Sequence, residues 1–367
     1  MIFDSIESKI KANLAKKESG VATSINFPFP RLSQRFPGWT KGSHTIITAN
    51  SGIGKTKICK FLTVNSIYSF LKANPLIKVK VFYFALEESK ESFWLDMIAS
   101  ILYTNYDIQL SPHQIMSLGN YTISKEHLEV IQSVKQEVED MERYIEVIDN
   151  IFNPYGIYNH VRQFFNDPNL GSYEVVQTDK GEIKGKFIYK DSNQYVFVVT
   201  DQINLLNPDT TSPYGEPQRD TREAMNYFSK EYCLKQMCKR LDCTVINIQQ
   251  QAADKERQEF FKGASIEKKL EPSLDGLGDS KLTQRDADLI LGLFAPTRFE
   301  LESYRGYDIN KLKDKYRCLI FLKDRHFGLA NNYVHLYFNG AINQMKELPK
   351  ADEMYDHIYE SIQNGEF

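Results

Sequence analysis

The sequence predicts an α/β fold, a mostly parallel sheet with helices on both faces. Three observations carry that expectation. Short, nearly continuous apolar runs recur along the chain, helical patterns separate them, and the first run leads straight into a glycine-containing turn and a helix. Length and composition agree: 367 residues with 42% hydrophobic and 25% charged side chains exclude a disordered or collagen-like chain.

Residues 1–18 place Ile2, Ile6, Ile10 and Leu14 four apart among Lys, Glu and Asp, the pattern of a short amphipathic helix. Gly20 follows as a stop signal, then the loop-like Phe27-Pro28-Phe29-Pro30. Such a helix has no core of its own and must dock, either on its own domain or on a neighbouring subunit. His44–Ala49 reads as a buried strand and Thr56–Leu71 as a helix; Val79–Leu86 is a second strand, with a helix from about Ser89 to Tyr103. Polar helices are expected over 104–168, the longest near Lys125–Tyr144. A hairpin is expected over 171–194, turning at Asp179-Lys180-Gly181. Tyr195–Thr200, Thr244–Ile248, Asp288–Phe294, Tyr316–Leu322 and Tyr333–Phe338 are further strands, with a helix over Arg222–Leu241. The resulting division is a helix and connector over 1–26, one domain over 27–345 and a tail over 346–367.

Charge and cysteine usage narrow the function. Lys and Arg number 45 against 48 Asp and Glu, a net charge of −3, so nucleic acid cannot be held by bulk positive charge. No apolar run approaches the ~20 residues that cross a bilayer, and the charged first 20 residues lack a secretory pattern. Cys59, Cys233, Cys238, Cys243 and Cys318 are scattered without a Cys-x-x-Cys pair. A reducing, cytoplasmic setting is expected rather than a disulfide framework or a zinc site.

Between the first strand and its helix lies Ala49-Asn50-Ser51-Gly52-Ile53-Gly54-Lys55-Thr56, an Ala-x-x-x-x-Gly-Lys-Thr phosphate loop. The chemistry needs each part. Gly52 and Gly54 let Ser51 to Thr56 turn their backbone N–H groups inward around phosphate oxygens. The positive end of the following helix adds attraction. Lys55 reaches the terminal phosphates, and the Thr56 hydroxyl holds Mg²⁺. ATP with Mg²⁺ is the expected ligand.

The other corners follow from strand ends. Asp201 closes Tyr195–Thr200, where a parallel sheet opens its crevice, and is the candidate second Mg²⁺ anchor. Glu87, just beyond Val79–Leu86, is the candidate group that orients and deprotonates water. Its neighbour Glu88 reads as a solvated acid at a helix start. Gln249-Gln250-Gln251 follow Thr244–Ile248, any one a possible γ-phosphate sensor. Lys323 and Arg325, at a strand end before Gly328, could project two cations toward a phosphate.

Together these residues resemble the DnaB-type replicative helicases, ATPases with a RecA-like core, from about Phe27 to Gly340 in the same order. Phe84-Ala85-Leu86-Glu87 is similar to the family's Ser-Leu-Glu element, which implies Glu87 as the catalytic glutamate. Val199 to Leu206 resembles the Walker B strand and its exit, and Val245 to Gln251 the sensor strand, which assigns the sensor to Gln250. Gln284-Arg285-Asp286-Ala287-Asp288 resembles a Gln-Asp-Ala-Asp motif with Arg285 inserted. Lys323-x-Arg325 matches the pair that reaches the nucleotide of the next subunit.

The resemblance implies a RecA-like phosphate-loop ATPase that forms a homo-oligomer, a hexameric ring, moves along single-stranded DNA, and docks its N-terminal helix on a neighbour. A primase or loader is a further implied partner, although the family's N-terminal helical domain has no counterpart here: about 40 residues precede the phosphate loop. A compact chain of this kind points to a phage or mobile element and the host cytoplasm. DNA would be gripped by loops near 207–221 and 252–281, with Lys255, Arg257, Lys262 and Lys281 as candidate phosphate contacts and Phe260 and Phe261 as stacking groups. Residues 254–281 hold six basic side chains against seven acidic, so this loop is no basic patch. Two other readings stay open: a RecA-like ATPase acting on protein partners, and a recombinase-like filament ATPase.

Overall fold

Strands with no polar face must be covered on both sides, and this sets the architecture. The computed structural model describes residues 2–178, 181–210, 217–252 and 270–367. β1 (His44–Ala49) is buried at every position. It lies between β7 (Thr244–Gln250) and β8 (Leu289–Phe294), parallel to both. Beyond β7 come β6 (Gln194–Asp201), β2 (Lys78–Ala85) and β3 (Ile145–Ile148), each parallel to its neighbour. Beyond β8 the sheet continues antiparallel through β11 (Tyr316–Asp324), β12 (Tyr333–Asn339) and β13 (Gln344–Glu347). Among the described residues these nine strands make one sheet, ordered β13-β12-β11-β8-β1-β7-β6-β2-β3.

One face is covered by the helix over 55–73, which includes a π-helical stretch at Phe61–Asn65, and by the helix Lys90–Tyr106. Pro154–Phe164 and the helical run over 221–240 cover the other face. β4 (Gly171–Thr178) and β5 (Gly181–Tyr189) form the expected separate hairpin, anchored by Phe187 against Phe165 and by Tyr189 Oη donating to Leu241 O at 2.8 Å. β9 (Ser303–Tyr304) and β10 (Tyr307–Asp308) pair as a small ribbon in the connection from β8 to β11.

Three expectations change. The span 104–168 is not only helical, because β3 pairs along β2 from Val81↔Ile145 to Phe84↔Ile148; four residues are too few for a period-2 signal. The helix expected near Lys125–Tyr144 is two, Lys125–Ser133 and Lys135–Glu142. Residues 346–367 are no loose tail. The helix Asp356–Asn364 buries Tyr359 and Ile362 against a cluster containing Tyr307, Leu312 and Tyr337.

The N-terminal helix Ile2–Glu18 forms as expected. Its stripe points away from the domain: Phe3, Ile6, Ile10 and Leu14 are 69%, 48%, 55% and 54% exposed. Lys16 Nζ donates to Ser192 O at 3.1 Å near its end.

Candidate active site

The phosphate loop takes the shape its glycines allow. Gly52 and Gly54 have φ of 73° and 109°, the second far outside what a side chain tolerates, and a Cβ on Gly54 would lie 2.9 Å from the Phe338 ring. Two arginines brace the loop through its carbonyls. Arg317 Nε donates to Ile53 O at 2.8 Å and Arg298 Nη1 to Ser51 O at 2.5 Å. Arg317 is buried against Phe338, and desolvation lowers its pKa to about 10. Neither arginine is among the residues the sequence reading selects, although an arginine between Tyr316 and Cys318 in an apolar strand is a signal that could have found Arg317.

Lys55 is buried and its Nζ donates to Asn50 O at 3.2 Å, so the ammonium lies folded over its own loop. Thr56 Oγ1 donates to Asp201 Oδ1 at 3.2 Å, and Tyr83 Oη to Asp201 Oδ2 at 2.9 Å. Asp201 is fully buried, and desolvation pushes its carboxyl up to about 7. A hydroxyl and a buried carboxylate side by side at the mouth of a phosphate loop are the hard oxygen ligands that Mg²⁺ takes, and an added dication would offset that desolvation. The residues fit the ion.

A cleft of about 290 Å³ gathers Gly52, Lys55, Thr56, Glu87, Glu88 and Gln250 along one edge of the sheet. Glu87 is exposed at the end of β2. Glu88 is not the solvated acid expected: both its oxygens meet the Lys60 ammonium, at 2.6 and 2.7 Å. The glutamines separate by their partners. Gln249 is spent on Gly278 O and Ser280 O, both at 2.8 Å, and Gln251 on Thr48 Oγ1 at 3.0 Å. Gln250 lines the cleft, where Gln202 Nε2 donates to its Oε1 at 3.0 Å and Asn204 Oδ1 accepts its backbone N–H at 2.9 Å.

Lys323 and Arg325 are not brought to this cleft. β11 runs antiparallel to β8, and the pairing Lys323↔Ile290 puts them level with the start of β1, whereas the phosphate loop leaves its end. Several strand residues at 3.3 Å each separate the two edges, about 15–20 Å. Lys323 Nζ donates to Ala287 O at 2.7 Å, and Arg325 Nη1 to Asp288 Oδ1 at 3.1 Å. Asp288 Oδ2 also accepts the His44 backbone N–H at 3.0 Å, so this motif ties the cation pair to the start of β1. Lys281 is exposed; Lys255, Arg257, Lys262, Phe260 and Phe261 lie outside the described residues.

Fold and site together define a RecA-like phosphate-loop ATPase fold with its nucleotide cleft at the carboxyl ends of parallel strands. The family model of the DnaB-like helicase C-terminal domain matches residues 20–347, and the chain belongs to that family of replicative-helicase ATPase motors. Among solved structures, one described as an ATPase domain aligns at a TM-score of 0.63 and 18% identity, over 94% of this chain and 99% of that one. A DnaB-like replicative helicase, solved in a study of its interactions with primase, aligns at 0.62 and 17% identity, over 95% of this chain and 71% of that one. Comparison with curated proteins finds no match. Among the described residues no helix is long and apolar enough to cross a membrane.

Proposed function

We propose that the chain works as a homo-oligomeric ring, a hexamer, that hydrolyses ATP at subunit interfaces and moves along single-stranded DNA. The observation that carries this reading is the placement of Lys323 and Arg325 on the sheet edge opposite their own phosphate loop. Cations there cannot complete the cleft of the same chain, but a neighbour packed edge to edge would receive them. The uncovered stripe of the N-terminal helix offers that neighbour a docking surface.

Within the cleft the roles follow from position. The loop N–H groups and Lys55 bind the phosphates, and Thr56 with Asp201 would hold Mg²⁺, which supplies charge neutralisation between the phosphates when bound. Glu87 orients and deprotonates the attacking water. Gln250 touches the cleft on one side and Gln202 and Asn204 on the other, so a change at the γ-phosphate is passed to the segment leaving β6, toward 207–221. Arg325 of a neighbour stabilises transition-state charge, an effect on the order of 10³–10⁵ in rate.

The test is complementation. Lys55→Ala and Arg325→Ala should each abolish ATPase activity, and mixing the two should restore part of it, because some interfaces then pair an intact loop with an intact arginine. Full activity of Arg325→Ala alone defeats the assignment. The charge of residues 254–281, six basic against seven acidic, favours a second reading, an ATPase that acts on protein partners. ATPase unaffected by single-stranded DNA, with no salt-dependent binding of the strand, would favour that alternative.

A further inference from the structure

The helix that starts at the phosphate loop ends its first segment in Lys60, which is fully buried. Its ammonium lies 2.6 and 2.7 Å from the two oxygens of Glu88 and 2.7 Å from Asp96 Oδ2, with the Phe93 ring 5.0 Å away. Asp96, on the helix Lys90–Tyr106, is also met by Lys57 at 2.5 Å. Two ammonium groups and two carboxylates thus lock the phosphate-loop helix to the segment that leaves β2. Replacing such a buried network by apolar groups is often neutral or stabilising, so stability alone is a weak reason for building one.

Its position supplies a better reason. Leu86 N–H donates to Asp201 O at 2.6 Å, and Ser89 caps the next helix by accepting Ser92 N–H at 3.2 Å. Between those fastened points stand Glu87 and Glu88. Glu88 is clamped by Lys60, and Glu87 is left exposed to the cleft.

We propose that Lys60, Glu88 and Asp96 form a brace that positions Glu87 against the phosphate loop, Lys60 and Glu88 acting as positioning residues. The inference rests on the reading of Glu87 as the group that activates water. Because Lys60 and the loop share one helix, the brace fixes the height of Glu87 relative to the phosphates directly, not through the sheet. A displacement of about 1 Å at a catalytic group can cost on the order of 10²-fold in rate.

The experiment measures ATPase kcat and KM, ADP affinity and Tm of the full chain for Glu87→Gln, Lys60→Met and the pair Lys60→Met with Glu88→Leu. Lys60→Met strands a buried carboxylate, and should lower both Tm and kcat. The double variant removes that stranded charge, so Tm should recover while kcat stays down on the order of 10- to 100-fold with KM and ADP affinity nearly unchanged. Recovery of kcat together with Tm would show the network to be structural only and overturn the brace. Normal turnover by Glu87→Gln overturns the underlying role of Glu87; a dead Glu87→Gln beside a fully active double variant overturns the brace alone. If the double variant does not fold, Glu88→Ala, which leaves Lys60 paired with Asp96, decides: a loss in kcat with KM and ADP affinity nearly unchanged supports the brace, and wild-type kcat rejects it.

Discussion

The Thr56 hydroxyl donates to the carboxylate of Asp201 across 3.2 Å, joining the first residues of the phosphate-loop helix to the end of β6, two strands away in the sheet. Thr56 and Asp201 are the two residues that would hold Mg²⁺ on the proposed reading of the cleft. Asp201→Asn keeps the size of the side chain and one of the two acceptor oxygens that Thr56 and Tyr83 use, but removes the charge. Saturating ADP with Mg²⁺ at 100 times its Kd stabilises a protein by about 2.7 kcal/mol, about 3–4 °C in Tm for a chain of 367 residues. We expect thermal shift assays to show that increment for the parent and only a small part of it for Asp201→Asn. An equal Mg²⁺-dependent increment in both would remove Asp201 from the metal position.

Acid lability is expected from a buried histidine. His44 opens β1, fully buried, with Asn247 Nδ2 3.0 Å from its Nε2; desolvation lowers its pKa from 6.5 to about 4, more than the nearby Asp288 carboxylate raises it. The unfolded chain therefore takes up a proton near pH 6.5 that the folded chain refuses until about 4. The stabilising difference is complete above pH 6.5 and is lost as pH falls toward 4, by up to about 3 kcal/mol. The stability difference between the parent and His44→Gln, from urea unfolding at pH 7, 6, 5 and 4.5, should shift in favour of the variant as pH falls. A difference that stays flat with pH contradicts the assignment.

Much of this site is legible before any coordinates. β1, β2, β6 and β7 announce themselves because burial on both faces leaves few polar positions, and their ends deliver the phosphate loop, Glu87, Asp201 and the glutamines to one edge. Spacing does less for choices that depend on distant partners. Gln249, Gln250 and Gln251 are alike in sequence, and resemblance alone selects Gln250; in the fold the other two are occupied by Gly278, Ser280 and Thr48. Glu88 reads as solvated because its partner Lys60 lies 28 residues away in sequence. Arg298, 247 residues beyond Ser51, carries no local mark at all. Short elements such as β3 are hidden for lack of length.

Gly54 is expected to tolerate no side chain. At φ of 109° an alanine is strained whatever the space around it, at a cost of order 1–3 kcal/mol. The Phe338 ring, 2.9 Å from the new Cβ, adds a clash. Gly54→Ala should lower Tm by several degrees and weaken ADP binding by at least tenfold, since the loop amides can no longer converge. Adding Phe338→Leu relieves the clash but not the dihedral, so Tm should recover partly and affinity should not. Wild-type affinity in either variant would mean that the loop does not bind phosphate in this shape.

The N-terminal helix gives the most direct test of assembly. Phe3, Ile6, Ile10 and Leu14 are each about half exposed or more, and the domain does not cover them. Serine at positions 6, 10 and 14 therefore removes little packing within the chain, and Tm of the isolated subunit should move by no more than about 2 °C. Between subunits the same three side chains would each forfeit roughly 1 kcal/mol or more of apolar burial, repeated at every interface of a closed ring. We expect the triple variant Ile6→Ser, Ile10→Ser, Leu14→Ser to sediment as a monomer at concentrations where the parent assembles, and its ATPase activity to fall with the assembly. On the shared-site reading, activity should return as concentration rises, because the cleft itself would be intact and would need only a neighbour's Arg325. A triple variant that assembles like the parent would place the docking surface elsewhere, and one that hydrolyses ATP at full rate as a monomer would contradict the shared-site reading altogether.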